Sequence, residues 1–461
     1  MTRRSARLAR RSAALLALAF AAIPALHAQE AGEGGGEGRA VRAGPVAGEN
    51  FRTEYVRLPS QSEALLYEPT SPKSPVALVF SHPGRNNFNE PLGRQMARRG
   101  YRVLMVNYRG DAEFREADPE AYLPGLSQAI TWLRTLPGVG KVVLVGHSGG
   151  GHLVSLYGGV AEQGPAICSG PEKIYPCKTR GLTGLARLDG LVLLDATLGA
   201  FHQMSAVDPA IAEGARKAAL DMFDPANGYD PAAKRAAYSP AFTSRFYAAQ
   251  AGDNARIVDH ALARLHAIEQ GKAVYVDDEP LVIRGMGVRA SGARLYQPDV
   301  AFASHTRQPH LLLRADGAEG TAVIQSVRAP AGKSAGDALR SLDTMAQNTT
   351  VRRFLAASAI RTGPDYRITA DNIVGVDWKS AYNSTPAMAE GITVPSLVMT
   401  MTCHYLLMPG EIIFDHLAAR DKTYVAVEGA THGFAPCKPE YGDTTKRTFD
   451  YLDRWLSQGR F

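Results

Sequence analysis

The sequence predicts an α/β protein: a mostly parallel central sheet with helices on both faces, interrupted by a mixed α+β insertion. Short apolar runs recur without polar alternation at 76–85, 101–110, 141–148, 188–194, 394–402 and 423–427, the pattern of strands buried on both faces. Residues 122–136 place apolar side chains at helical spacing between two of those runs, as a crossover between parallel strands requires. The runs fall into two groups, within 51–200 and 391–461, and the stretch 201–390 separates them.

From the N-terminus, residues 1–28 read as an export signal. Arg3, Arg4, Arg7, Arg10 and Arg11 form a basic start, 13–26 an apolar core, and Leu26-His27-Ala28 a small-residue cleavage site before Gln29. The apolar run is too short and too Ala-rich to persist as a membrane span. Arg10-Arg11 before Ser12 also allows a twin-arginine route, although ordinary n-region charge accounts for the pair. Removing five arginines and no acids takes the chain from +6 to +1, so the pI near 9.0 says nothing about nucleic acid. No basic run or aromatic-interleaved basic face follows, which sets nucleic acid aside as a partner. Residues 29–50, rich in Gly and Glu, form a flexible linker. The expected location is periplasmic or secreted, with no stable membrane span once the signal is removed.

The chain is organised around 141–157. Lys-Val-Val-Leu-Val is a buried strand, Gly146-His147-Ser148-Gly149-Gly150 a tight turn, and Gly151 onward a helix. Small residues around Ser148 let the backbone fold back sharply, and the Gly149 amide falls at a helix N-terminus, where negative charge is favoured. This G-x-S-x-G in its strand-turn-helix setting resembles the nucleophile elbow of the α/β-hydrolase superfamily. The likeness extends upstream to Ser81-His82-Pro83-Gly84-Arg85, where the superfamily carries its oxyanion loop. Downstream it reaches Glu428-Gly429-Ala430-Thr431-His432-Gly433, where a member presents its catalytic histidine.

The resemblance implies a hydrolase core from 51–200 and 391–461 and a cap from 201–390. Within the cap, 211–222, 255–268 and 337–359 read as helical and 272–283 and 310–328 as strand-like. It also implies Ser148 as nucleophile and His432 as general base. Gly149 N–H would be one oxyanion donor; Pro83 has no N–H, which leaves Gly84 or Arg85 as the second. His82 reads as a residue that holds this loop by hydrogen bonds, and His147 and His152, flanking the elbow, as packing residues. The acid is open. The superfamily usually has an aspartate past the strand at 394–402, but Met401-Thr402-Cys403-His404-Tyr405 offers none; Asp195 after the preceding strand and Glu411 in the next helix are the two replacements.

Four cysteines in an exported chain argue for disulfides. Cys168 and Cys177 lie nine apart in one loop, and in the implied fold Cys403 and Cys437 fall in neighbouring loops. A zinc site from Cys403, His404, Cys437 and one further ligand has no C-x-x-C spacing behind it. The aromatics Phe201, Phe223, Tyr229, Tyr238, Phe242, Phe246, Tyr247 and Trp378 are expected to form the cap's own core rather than a pocket, and 377–386 a binding loop.

These features converge on an exported serine hydrolase acting on a small-molecule carboxylic ester, with no metal or organic cofactor. A peptidase or amidase using the same machinery is the alternative, and an inactive hydrolase-fold binding protein a second. The processed protein should begin at Gln29, which N-terminal sequencing of the exported form reads directly.

Overall fold

Unbroken apolar strands need cover on both faces, and the fold supplies it. The computed structural model describes residues 44–45, 48–59, 62–72, 74–84, 86–108, 118–212, 216–286, 294–331 and 346–461. The segment read as an export signal, 1–28, most of that read as a linker, and Arg85 lie outside the described residues. Residues 37–461 form one unit.

Among the described residues eleven strands make a single sheet. In chain order they are β1 (Gly44–Pro45), β2 (Phe51–Arg57), β3 (Glu63–Pro69), β4 (Val76–Ser81), β5 (Arg102–Asn107) and β6 (Lys141–His147). Then come β7 (Gly190–Leu194), β8 (His305–Leu313), β9 (Glu319–Gln325), β10 (Ser396–Met401) and β11 (Lys422–Val427). The order across the sheet is β1-β2-β3-β5-β4-β6-β7-β10-β11-β8-β9. Neighbours from β5 through β8 are parallel; the outer pairs on both sides are antiparallel. The carboxyl ends of β4, β6, β7, β10 and β11 therefore open on one edge, beside the point where the strand order reverses, which is where doubly wound sheets place their sites.

Six helices of eight or more residues are found among the described residues: α1 (Pro91–Arg98), α2 (Leu123–Arg134), α3 (Gly150–Gln163), α4 (Pro240–Glu269), α5 (Leu407–His416) and α6 (Thr444–Ser457). Leu126, Ile130 and Leu133 of α2, Leu153 and Leu156 of α3, and Leu407 and Ile413 of α5 share one apolar cluster with Val79, Leu104 and Leu144 of the sheet. Leu92 and Met96 of α1 and Phe449, Leu452 and Trp455 of α6 join Leu78, Met105 and Val145 on the opposite face. Successive strand residues thus point into different halves of the core, as period-two geometry dictates.

The stretch 201–390 departs from the sequence reading in several places. Within 211–222 the described residues, 211–212 and 216–222, are turns, irregular backbone and a short 3₁₀ segment, Ala218–Leu220; 213–215 lie outside the described residues. Asp208 accepts the Ala210 N–H at 2.9 Å and Asp221 that of Phe223 at 3.0 Å, local bonds that compete with helix formation. The helix read at 255–268 is the second half of α4, which starts at Pro240 under a Ser239 cap. Of 272–283 only the end is strand, Pro280–Arg284, paired with Ala346–Thr350; of the helix read at 337–359, residues 337–345 lie outside the described residues, and the described part is that strand followed by the helix Val351–Ala357. The strand-like run 310–328 is two strands, β8 and β9, which extend the central sheet beyond β11. That stretch is therefore partly core sheet. A run's apolar pattern announces a strand but not its neighbour.

The aromatics behave as core: Phe201, Tyr238, Phe242, Phe246 and Tyr247 are buried, Phe201 and Tyr247 against Tyr366 and the others in a chain of ring contacts that ends on Tyr247. Residues 380–386, expected as part of a binding loop, are buried. Tyr382 donates to Glu120 at 2.6 Å, and Thr385 to the Thr197 carbonyl at 2.7 Å. No helix among the described residues is long and apolar enough to cross a membrane.

Cys168 is bonded to Cys177 and Cys403 to Cys437, with Cα separations of 5.5 and 6.3 Å. The zinc reading fails because both of its sulfurs are in the second bridge. Replacing Cys403 and Cys437 together by serine should lower unfolding free energy by ~3–4 kcal/mol, measured by denaturant titration against the oxidised wild type.

Candidate active site

Ser148 leaves β6 with φ +57°, a conformation that costs a non-glycine residue free energy and needs local support. Its N–H donates to the Leu194 carbonyl at 3.0 Å, and its carbonyl accepts from Gly151 and Thr197, each at 3.0 Å. The turn is thus tied to the end of β7 on both sides of Asp195. Close packing makes the following glycines necessary. A Cβ at Gly150 would lie 2.6 Å from the Ser81 carbonyl, and one at Gly151 would collide with Ala196.

Asp195 is fully buried and has φ +42°. Its N–H donates to the Met399 carbonyl at 2.7 Å and its Oδ1 accepts from Met401 N–H at 3.3 Å, so β10 fixes it. Its Oδ2 receives His432 Nδ1 at 2.6 Å. His404 Nδ1 lies 2.6 Å from the same oxygen, so two imidazoles meet one carboxylate. Burial raises the Asp195 pKa, but the charges and hydrogen bonds of His404 and His432 prevail and hold it below the usual carboxylate range. An ionised carboxylate can only accept, so His432 Nδ1 carries a proton, and in the neutral imidazole Nε2 keeps the lone pair.

The loop bearing His432 is held in turn. His147, adjacent to Ser148 and 4% exposed, donates from Nε2 to the His432 carbonyl at 2.9 Å. The two rings lie 4.6 Å apart, and His404 stacks on His432 at 4.3 Å. Cys403 N–H donates to the Ala430 carbonyl at 2.9 Å, and Gly429 N–H to Thr402 Oγ1 at 2.8 Å, so the loops after β10 and β11 are paired as well as cross-linked.

The structure brings Ser148, Gly149, Asp195 and His432 to one sheet edge and takes Glu411 elsewhere. Glu411, fully buried, accepts from the backbone of Arg307 at 2.7 Å and Gln308 at 2.9 Å, and from His310 Nε2 at 2.8 Å. Burial raises its pKa, and those bonds together lower it below the ordinary value. It anchors the start of β8.

Gly84 is not placed as expected. Its N–H donates to His82 Nδ1 at 3.0 Å. Arg85, the other expected donor, lies outside the described residues. His404 was missed as a partner of Asp195. The signal was its position where the superfamily's acid usually lies, yet an empty acid position does not announce which residue turns toward the substitute.

Asp195, His404 and His432 are the one group of three potential metal ligands found among the described residues. Two imidazole nitrogens at 2.6 Å from one carboxylate oxygen are at hydrogen-bonding separation, and to ligate zinc the three would have to turn toward a common centre near 2.0 Å from each. Beyond His404, Tyr405 stacks over His202, and behind them a narrow apolar cavity of about 10 Å³, room for one water, is lined by Leu198, Phe201, Tyr296 and Met408.

A sharp strand-turn-helix at Ser148 after β6 in this strand order, with an aspartate after β7 bonded to a histidine after β11, decides the architecture. The chain has the α/β-hydrolase fold. No family model and no curated protein matches it. Among solved structures it is similar to DcsB in complex with its substrate analogue, with 11% identity, 88% of this chain and 98% of that one covered, and a TM-score of 0.40. It is also similar to the α/β hydrolase GrgF from Penicillium sp. sh18, at 12%, 88% and 97% covered, TM-score 0.37. A third is carboxyl esterase 2 from the mycorrhizal fungus Tuber melanosporum, at 13%, 92% and 89% covered, TM-score 0.37.

Two further histidines set the acid response. Burial lowers the His152 pKa from 6.5 to about 4, and that of His202 well below 6.5 with help from the Arg294 charge. Between pH 6.5 and about 4 these two imidazoles take up protons in the unfolded chain and refuse them in the folded one, so their contribution to stability is lost as pH drops through that window, opposed by Asp208, whose buried carboxyl is raised to about 6. Asp195, whose folded pKa is depressed, adds its loss only near and below its unfolded value of 3.8. His152→Gln should flatten the Tm decline between pH 6.5 and 4 and leave the steeper fall below it.

Proposed function

We propose that this protein is an exported serine hydrolase that cleaves carboxylic esters through an acyl-enzyme on Ser148. The observation that carries the reading is the 2.6 Å bond from His432 Nδ1 to the buried Asp195, formed beside the elbow to which His147 ties the histidine loop.

With Nδ1–H held by Asp195, the Nε2 lone pair of His432 takes the Ser148 proton as the hydroxyl oxygen attacks the ester carbonyl. The carbonyl π electrons move to oxygen, and Gly149 N–H, at the N-terminus of α3, faces the resulting negative charge. Collapse expels the alkoxide, which receives the proton from His432. Water then repeats the sequence on the acyl-serine and releases the carboxylic acid. Asp195 stays ionised throughout and stabilises the imidazolium. This chemistry needs no cofactor. Export is supported by the basic-apolar start at 1–28 and by all four cysteines being paired in disulfides, an arrangement suited to an oxidising compartment.

A fluorophosphonate should label folded wild type and not Ser148→Ala, and p-nitrophenyl esters should turn over faster than aminoacyl arylamides; the reverse preference makes the protein a peptidase. Failure of folded wild type to label would leave the binding-protein reading. Asp195→Asn should lower kcat about 10⁴-fold. Glu411→Gln should leave kcat within a few-fold while lowering Tm, and an opposite outcome would reassign the acid.

A further inference from the structure

Acyl transfer on Ser148, on the reading above, needs two donors aimed at the oxyanion, and Gly149 N–H supplies one. The segment that meets the elbow from β4 is Ser81-His82-Pro83-Gly84, packed so closely that the Ser81 carbonyl occupies the space of a Gly150 side chain. Pro83 has no N–H. Gly84 N–H donates to His82 Nδ1 at 3.0 Å. Neither residue therefore offers an amide to the site.

The same hydrogen bond fixes the chemistry of the ring. An N–H can donate to Nδ1 only if that nitrogen carries a lone pair, so in the neutral imidazole the proton is on Nε2. That nitrogen lies against the elbow: a Cβ built on Gly149 would be 3.1 Å from His82 Nε2 and 3.5 Å from Cε1. The backbone carrying the ring is anchored. The His82 carbonyl accepts from Asn87 Nδ2 at 3.3 Å, and the same amide group donates to the Val106 carbonyl at 2.7 Å from a side chain 1% exposed. The ring is thus held in tautomer and position with its N–H at the residue that bears the other donor.

We propose that His82 is a catalytic residue of this hydrolase, its Nε2–H being the second oxyanion donor, opposite Gly149 N–H, in place of the backbone amide that Pro83 removes. The ring keeps its proton throughout. It strengthens one hydrogen bond as the carbonyl oxygen gains charge and exchanges nothing with the substrate.

Two substitutions separate this role from mere support of the loop. Asn at 82 puts an acceptor where Nδ1 stands, keeping the Gly84 bond and leaving nothing at Nε2. Gln reaches the Nε2 position with an N–H₂. His82→Asn should lower kcat about 10²–10³-fold with KM little changed and Tm near wild type, and His82→Gln should recover to within about tenfold. Full turnover in His82→Asn together with loss in His82→Gln would overturn the assignment. A readout free of variants is the ¹⁵N resonance of His82 in the wild-type enzyme. It should show an Nε2–H tautomer whose proton moves downfield when phenylboronic acid forms its adduct on Ser148, and a resonance unmoved by the adduct overturns the proposal. Wild type that neither labels with a fluorophosphonate nor hydrolyses p-nitrophenyl esters would remove the hydrolase reading and this inference with it, whereas active wild type with indifferent His82 variants removes the inference alone.

Discussion

A fully buried carboxylate at the end of β7 is the constraint to which the rest of the site answers. Removing an ionised group from water costs several kcal/mol unless opposite charge and hydrogen bonds replace the lost hydration. Asp195 finds them in His404, His432 and the Met401 amide, which arrive from the two loops after β10 and β11. Those loops have to be adjacent, and the backbone pairing of Cys403 with Ala430 and the bridge from Cys403 to Cys437 hold them so. The strained backbone at Ser148 and Asp195 follows from the same demand, because each lies directly after a buried strand and is held by bonds that its own strand does not make.

The architecture was legible in the sequence where the information is local. Strand, turn and helix around Ser148 lie within a few residues, and the glycines there are dictated by contacts of the turn itself. Which carboxylate meets His432 was not legible, since Asp195 and Glu411 both follow core strands and either satisfies a rule about position. What separates them is long-range: Glu411 is drawn away by two amides and an imidazole near the start of β8, more than a hundred residues upstream. The donor side of the site was read by analogy with a backbone arrangement. That reading gave Gly84 a role which its hydrogen bond to His82 contradicts.

The insertion was misread for a different reason. Asp208 and Asp221 flank the two ends of a segment, 211–222, whose apolar spacing suits a helix, and their side chains capture nearby amides instead, a competition that hydrophobic periodicity does not register. The polar and aromatic run at 377–386 reads as a binding loop on composition, yet its hydroxyls and amides find partners in Glu120, Thr197 and Ala357, and it supports the backbone just past Asp195.

The continuation of the sheet through β8 and β9 has an engineering consequence. β8 lies parallel to β11, the strand that delivers the histidine loop, and its first residues are clamped by Glu411 of α5. The insertion is therefore stitched into the hydrolase scaffold and is no detachable cassette. A truncation or lid transplant that respects the fold has to keep residues 305–325 and cut on either side of them. Deletion of the whole interval would strip a neighbour from β11 and leave an apolar edge open to self-association.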